Sequence, residues 1–300
     1  MPELNSNQLW DRFKKYYFEF PTINLGLDIS RMKFRDEFIE DFRPRLEKAF
    51  KAMDELEAGG IANPDENRMV GHYWLRNSQL APTTEIRDSI NKAITNIETF
   101  SSEVHKGIIT GERGRFEHLL VVGIGGSALG PQFVSKALSQ PREDKLQAWF
   151  IDNTDPDGID HIKCKLANLL GNTLVIVISK SGGTKETRNG MLEMQAAYKS
   201  AGLDFANHSV AITGEGSTLD QIAESEGWLR RFPMWDWVGG RTSETSSVGL
   251  LPAALQGIDI KGLLDGASAC DQVTRSKSFE ENPAAQLACM WHYAGDGHGK

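Results

Sequence analysis

173-TLVIVISKSGGTKETRNG-190 opens with five consecutive apolar residues, Leu174 to Ile178, and then breaks into hydroxyls, glycines and one lysine. A run this short, continuously apolar and rich in β-branched residues reads as a strand buried on both faces of a sheet. From Thr184 the pattern becomes helical. A strand that empties into small polar residues and re-enters a helix is one step of a βα unit, and the same texture recurs on either side. The runs 118-HLLVVG-123, 147-QAWFID-152 and 208-HSVAIT-213 are also short and apolar, and the stretches near 128–140, 156–169, 184–201 and 217–226 suit helices. Buried strands alternating with helices predict an α/β fold, a doubly wound parallel sheet over about 118–256. Ligands of such sheets bind beyond the carboxyl ends of the strands.

Residues 1–107 read as a helical region ahead of that domain. From Phe34 the positions Phe38, Phe42, Leu46, Phe50 and Met53 form one helical stripe, with Ser30 as N-cap, Gly59-Gly60 as stop and a kink expected at Pro44. A second helix starts at Pro82-Thr83-Thr84 and carries Ile86, Ile90, Ile94, Ile97, Phe100 and Val104 on one face. Between them, 68-RMVGHYWLRN-77 reads as a short helix with a mixed aromatic and basic face. Residues 258–300 read as two helices after the α/β domain of 108–257, and His298, in a glycine-rich end, as a mobile terminal residue.

The balance of 33 Lys plus Arg against 41 Asp plus Glu, a net charge of −8, excludes a general nucleic-acid or anionic-membrane surface. An anionic ligand must then be held by local devices. Cys164, Cys270 and Cys289 form no CxxC pair, which argues against a metal site or a disulfide framework and for a reducing, cytoplasmic setting. No apolar run approaches the ~18 residues of a membrane span, and MPELNSNQLW lacks the apolar core of a secretory signal.

Three strand-end loops carry the chemistry. In 121-VVGIGGSALGP-131 the glycines let backbone N–H groups approach a ligand, and the following helix offers unpaired donors and a partial positive charge. The same spacing, Gly123-x-Gly125-x-x-Ala128 with Asp152 downstream, also satisfies a dinucleotide fingerprint, so NAD binding and a phosphate site both stand for this loop alone. In 179-SKSGGTKET-187, Ser179, Ser181 and Thr184 can each donate a hydroxyl hydrogen bond; Thr184 equally suits a helix N-cap. Lys180 is either a neutralising cation or a solvated surface lysine. Two hydroxyl-bearing loops at one sheet edge suit a compact dianion, a phosphate monoester. In 234-MWDWVGGRTSETSSVGLLP-252, Gly239-Gly240 lets the chain bend and present Arg241, whose planar fork suits a developing oxyanion; a structural bridge to Glu244 or Asp236 is the plainer reading. Thr242–Ser247 reads as the cap of the helix carrying Val248, Leu250 and Leu251.

Taken in order, 68-RMVGHYWLRN-77, 122-VGIGGSALGP-131, 177-VISKSGGTKET-187 and 235-WDWVGGRTSETSSVGL-250 resemble the amino-terminal part of the phosphoglucose isomerase (glucose-6-phosphate isomerase) family, from roughly residue 65 onward and in its cyanobacterial and plant branch. The resemblance implies two sugar-isomerase (SIS) α/β domains, a homodimer when full length, a cytoplasmic setting, and interconversion of glucose 6-phosphate and fructose 6-phosphate in glycolysis and gluconeogenesis, with no cofactor and no metal. It places Gly126 and Ser127 on the sugar phosphate, Ser179, Lys180, Ser181 and Thr184 in the phosphate loop, and Gly240 with the catalytic Arg241 beside C1 and C2. Thr242 stands where many members have an aromatic, and Ser181-Gly182-Gly183 where others are bulkier. The family's catalytic glutamate, histidine and lysine match nothing in these 300 residues, so the resemblance implies an incomplete chain, inactive alone, in which 258–300 leads toward a second SIS domain. A non-catalytic sugar-phosphate-binding SIS module and an NAD-dependent oxidoreductase are the competing classes.

Overall fold

The structure, a computed structural model, describes residues 4–295 and 297; His298 lies outside the described residues. The chain divides into two compact units, Met1–Ala58 with Leu264–Lys300, and Gly59–Leu263. In the first unit, helix α1 (Ser6–Tyr16) is opened by a reciprocal cap in which the Asn5 and Gln8 side chains each accept the other's backbone N–H at 3.0 Å. The chain then departs from the helical reading of 1–107. Strands β1 (Tyr17–Phe20) and β2 (Leu25–Asp28) form an antiparallel hairpin around a turn in which Asn24 adopts φ 50°. Ser30 caps no helix. It is buried, and its N–H donates to Asp28 Oδ1 at 2.8 Å, so the next helix, α2 (Glu37–Glu57), begins only after Asp36. That helix continues through Pro44 and stops ahead of Gly59, which takes φ 93°. Its inner face, Ile39 and Leu46 with Phe38, Phe42 and Phe50 alongside, packs on Tyr16, Phe34 and Met290; Met53 is left exposed.

The second unit starts with a small hairpin, β3 (Ile61–Asn63) and β4 (Arg68–Met69). The stretch 68–77 is therefore a strand end followed by one 3-10 turn over His72–Leu75 rather than a helix. Tertiary bonds decide this, since the Gly71 N–H goes to Trp237 O at 2.9 Å and Trp74 is fully buried. Helix α3 (Thr84–Lys106) is as read, capped by Thr83 Oγ1 on the Ile86 N–H, with Ile90, Ile97, Phe100 and Val104 buried.

The sheet contains β5 (His118–Val122), β6 (Gln147–Ile151), β7 (Thr173–Ser179), β8 (Ser209–Thr213) and β9 (Arg230–Pro233), all parallel, in the order β6-β5-β7-β8-β9. Every residue of β7 and β8 is buried, as continuous apolar strands require. The crossovers are α4 (Gly126–Leu138), α5 (Pro156–Leu166), α6 (Lys185–Ser200) and α7 (Thr218–Ser225). Met191, Met194 and Tyr198 of α6 pack on Leu120, Val122, Val175 and Val177. On the other face lies α8 (Ser247–Gln256), buried along its whole length against β5 and β6 and covered by α3 and α4. This packing places α3 with the sheet, inside the compact unit Gly59–Leu263. The chain leaves β5 toward β6 on one side and returns to β7 on the other, which makes the β5/β7 boundary the topological switch point. Helices α9 (Ile260–Thr274) and α10 (Pro283–Ala294) complete the described chain. Among the described residues no helix is long and apolar enough to cross a membrane.

Candidate functional site

The three loops read from sequence follow the carboxyl ends of β5, β7 and β9, and the third touches each of the other two. After Val122 the first loop turns through Gly125 at φ 55°, ψ −124°, a conformation that a residue with a Cβ avoids. Gly126 then starts α4 in direct backbone contact with the third loop, since a Cβ there would lie 2.2 Å from Gly240 O. Ser243, fully buried, places its hydroxyl 3.2 Å from both Gly126 O and Gly240 O and fastens the two loops together.

The second loop is organised by its own hydroxyls. Ser179 Oγ, buried at the end of β7, accepts the Gly182 N–H at 3.2 Å and faces Thr184 Oγ1 at 3.3 Å; Ser181 Oγ accepts the Gly183 N–H at 3.1 Å. These short side chain to backbone bonds curl the segment into a nest ahead of α6. Thr184 stands at the N-cap position without a side-chain cap bond, so its hydroxyl is not serving the helix. One turn further on, Thr187 is a position that the sequence offered only as part of a helix start. It is buried, and among the described residues its Oγ1 has no hydrogen-bond partner. The Thr184-x-x-Thr187 spacing was the available signal, because residues three apart share a helix face.

The third loop is braced from behind. Trp235 and Trp237 stack at 4.8 Å, Trp237 meets Trp74 at 5.3 Å, and Trp235 Nε1 donates to Ser89 Oγ at 3.0 Å. Lys180 reaches across from the second loop and donates to Val238 O at 2.7 Å and Asp236 O at 3.4 Å. Burial pushes its ammonium below the ordinary lysine value. Its half-buried ammonium is thus engaged by two carbonyls of the third loop. Arg241 sits in a 3-10 turn over Gly240–Thr242 and is exposed. Among the described residues it pairs with neither Glu244 nor Asp236; the nearest cation to the Asp236 carboxylate is Arg68, at 3.8 Å. The cap of α8 falls on Ser246, whose Oγ accepts the Val248 N–H, inside the stretch expected to cap it.

Within the second unit one contrast marks out the helix starts at the switch point. Helices α3, α5, α7 and α8 are each capped by a side chain, from Thr83, Asp155, Ser217 and Ser246. Helices α4 and α6, the two that open at the switch point, have no side-chain cap. At α6 the N–H groups of Lys185, Glu186 and Thr187 meet no acceptor among the described residues; at α4 the Ser127 and Ala128 N–H groups already donate to Ile124 O and Gly125 O, at 3.1 and 3.0 Å, so that helix offers the Gly126 N–H and its dipole. An anion is what such helix starts favour. Asp152, the acidic residue of the dinucleotide fingerprint, already accepts from Gln132 Nε2 and Asn153 Nδ2, each at 2.7 Å. Of the residues singled out in sequence, Gly126 meets Gly240, Ser179, Ser181 and Thr184 share one nest, Lys180 joins that nest to the third loop, and Ser127 sits half-buried in the first turn of α4.

The comparisons with known proteins bear on the family and the fold. The family model described as phosphoglucose isomerase matches residues 28–297, further upstream than the motifs alone reach. A glucose-6-phosphate isomerase of Geobacter sulfurreducens is 57% identical over 298 residues, 99% of this chain and 56% of the relative. Cyanobacterial relatives are among the matches, one from a Synechococcus strain at 55% over the same shares. The crystal structure of a glucose-6-phosphate isomerase from Chlamydia trachomatis superposes with a TM-score of 0.84 at 25% identity, over 97% of this chain and 56% of that one. The chain spans about half the length of the curated relatives that it matches. With a doubly wound sheet, the loop geometry and 270 consecutive residues matched, the chain belongs to the phosphoglucose isomerase family.

Proposed function

We propose that this chain is the sugar-phosphate-binding part of an aldose–ketose isomerase that interconverts glucose 6-phosphate and fructose 6-phosphate through an enediolate. The observation that carries the reading is the pair of helix starts without a side-chain cap, α4 and α6, flanked by Ser127, Ser179, Ser181 and Thr184 at one switch point, with Arg241, unpaired among the described residues, beside them. The phosphate is a remote handle whose binding energy orients the reacting carbons. Gly126, Ser127, Ser179, Ser181 and Thr184 hold it, Gly240 shapes the wall next to the sugar, and Arg241 stabilises charge developing on the enediolate oxygens. A general base moves a proton between neighbouring carbons, and no redox cofactor enters. That base, a glutamate, and the histidine and lysine for ring opening belong to the length of the relatives that this chain does not span.

The three-part organisation is part of the same proposal: a region over 1–107, a first SIS domain over 108–257, and 258–300 leading to a second SIS domain. Helix α10 supports the last element. Its inward face packs through Ala285, Cys289 and Met290, yet Leu287 and Trp291 on the outward face are 41% and 75% exposed. A helix apolar on both sides is one that packs on both sides. A homodimer of the full-length enzyme and a cytoplasmic location complete the reading.

Titration of the chain with 6-phosphogluconate by calorimetry tests it. Replacing Ser179 and Thr184 together by alanine is expected to weaken binding by about tenfold or more, since each lost hydrogen bond to a charged group is worth ~1.5–3 kcal/mol. Unchanged affinity removes the loop from the site. Isomerisation by the chain alone should be negligible, and turnover comparable to that of a relative of full length would refute the division of labour.

A further inference from the structure

Lys180 lies between the hydroxyls of Ser179 and Ser181 in the phosphate loop, yet its ammonium bonds to the third loop. It donates to Val238 O and Asp236 O, at 2.7 and 3.4 Å. Between those two carbonyls, Trp237 O accepts the Gly71 N–H at 2.9 Å. Three consecutive carbonyls of the third loop are thus gripped by donors from two other segments, and Arg68 approaches the Asp236 carboxylate at 3.8 Å from the same side. Past Val238 come only Gly239 and Gly240 before Arg241, a pair with no side chains to fix its own course. On the upstream side the last tie from another loop before this pair is the Lys180–Val238 bond; on the downstream side Ser243 Oγ holds Gly240 O, so Arg241 is carried between two ties. The other end of the strap is equally firm: Lys180 O accepts the Gly214 N–H at 3.0 Å, and Ser179 O accepts from Thr213 Oγ1 at 2.7 Å, both at the end of β8. A half-buried ammonium with a short bond to one carbonyl and a longer one to a second is a charge-assisted tie between the two loops.

We propose that Lys180 is a positioning residue which, through the carbonyls of Asp236 and Val238, holds the Gly239–Arg241 segment in register with the phosphate loop, and that it does not itself neutralise the phosphate. This rests on the sugar-phosphate reading given above.

The test uses Lys180→Met and Lys180→Arg in this chain, with amide hydrogen exchange over 236–242 and calorimetry with inorganic phosphate and with 6-phosphogluconate. Lys180→Met is expected to speed exchange at Val238–Thr242 by about tenfold or more, because one charge-assisted bond is removed. Lys180→Arg, whose fork can reach both carbonyls, should restore most of the protection. Affinity for inorganic phosphate should change by less than about twofold, whereas affinity for 6-phosphogluconate should fall by about tenfold, and that fall should vanish when Arg241 is already alanine. Unchanged exchange in Lys180→Met overturns the proposal. So does a loss of inorganic phosphate binding as large as the loss of the sugar acid and independent of Arg241, which would make Lys180 a direct ligand. If the unaltered chain binds neither anion, the sugar-phosphate reading fails, and the exchange comparison still decides the strap.

Discussion

Replacing Gly126 by alanine asks whether the first and third loops form one wall. In an isolated helix the change would help, since alanine is favoured over glycine by ~0.5–1 kcal/mol. Here the new Cβ would lie 2.2 Å from Gly240 O and 2.4 Å from its Cα, both backbone atoms that no side-chain rotation can move. An ordinary contact needs the loops to separate by roughly 1 Å, and overpacking of this kind costs about 1–3 kcal/mol. The clash outweighs the propensity, leaving a net loss of about 1–2 kcal/mol, or a fall in Tm of roughly 2–8 °C for a unit of this size. The same separation moves the segment bearing Arg241 relative to the α4 start, so sugar-phosphate affinity should fall with it. Gly183→Ala is the matched control within the same site. Gly183 is not in the left-handed region, and its nearest neighbour, Ser181 Oγ, is 3.7 Å from the built Cβ. Its Tm should stay within about 1 °C. Differential scanning fluorimetry with and without 6-phosphogluconate reads both variants. A Gly126→Ala chain with the parent's Tm and affinity, or a Gly183→Ala chain equally destabilised, would refute the reasoning.

Two further outcomes follow from buried polar groups. Thr187→Val removes a buried hydroxyl that has no partner, so the free chain should gain up to about 1–2 kcal/mol while its phosphate affinity drops; a loss of stability without change in affinity would assign Thr187 a purely structural bond. His208 is fully buried, with Nδ1 3.0 Å from Thr173 O and Nε2 accepting the Glu112 N–H at 3.3 Å, a neutral ring. Burial holds its pKa below the ordinary 6.5, against the smaller opposing influences of the Thr173 carbonyl, Glu112 and Asp204. The unfolded chain therefore takes up the proton first as pH falls, and stability is present above about pH 6.5 and lost progressively below it. Thermal melts between about pH 7.5 and 5 should show a slope that His208→Asn flattens, and equal slopes in the two proteins would exclude the residue as the source.

Four of the five sheet strands were legible because a run such as Leu174–Ile178, apolar on both faces, has nowhere to go but the middle of a covered sheet. The fifth was not. Arg230–Pro233 has a neighbour on one side only, its two arginines are exposed, and Phe232 alone is buried, so it carries the charge that edges carry and the apolar signal that strands normally show is missing. The β1–β2 hairpin was hidden by its brevity, and the start of α2 by competition, since the nearby Asp28 carboxylate engages Ser30 before any helix can. In the site, residue types were readable and their engagements were not. Hydroxyls and glycines advertise an anion loop. Whether Lys180 faces that anion depends on two carbonyls 56 and 58 positions downstream, which no local pattern encodes.

The electrostatics of the site follow from that distinction. A chain of net charge −8 repels a dianion at long range, and Lys180 is held by carbonyls. The attraction must then come from close, oriented donors: the two uncapped helix starts, each worth roughly half a positive charge, and the hydroxyls around them. Such donors are fixed by the fold and need no rearrangement when the ligand arrives, which is the condition under which dipoles in a partly dry site are most effective. Arg241 is kept apart from this task. A guanidinium already paired with Glu244 would have to break that pair each time charge develops on a substrate oxygen. The carboxylate of Asp236 is drawn toward Arg68 instead, and Arg241 meets no acid among the described residues. On the proposed reading, neutral donors would serve the group that merely anchors and an uncommitted cation the atoms that react, the allocation that spends least of the binding on the ground state.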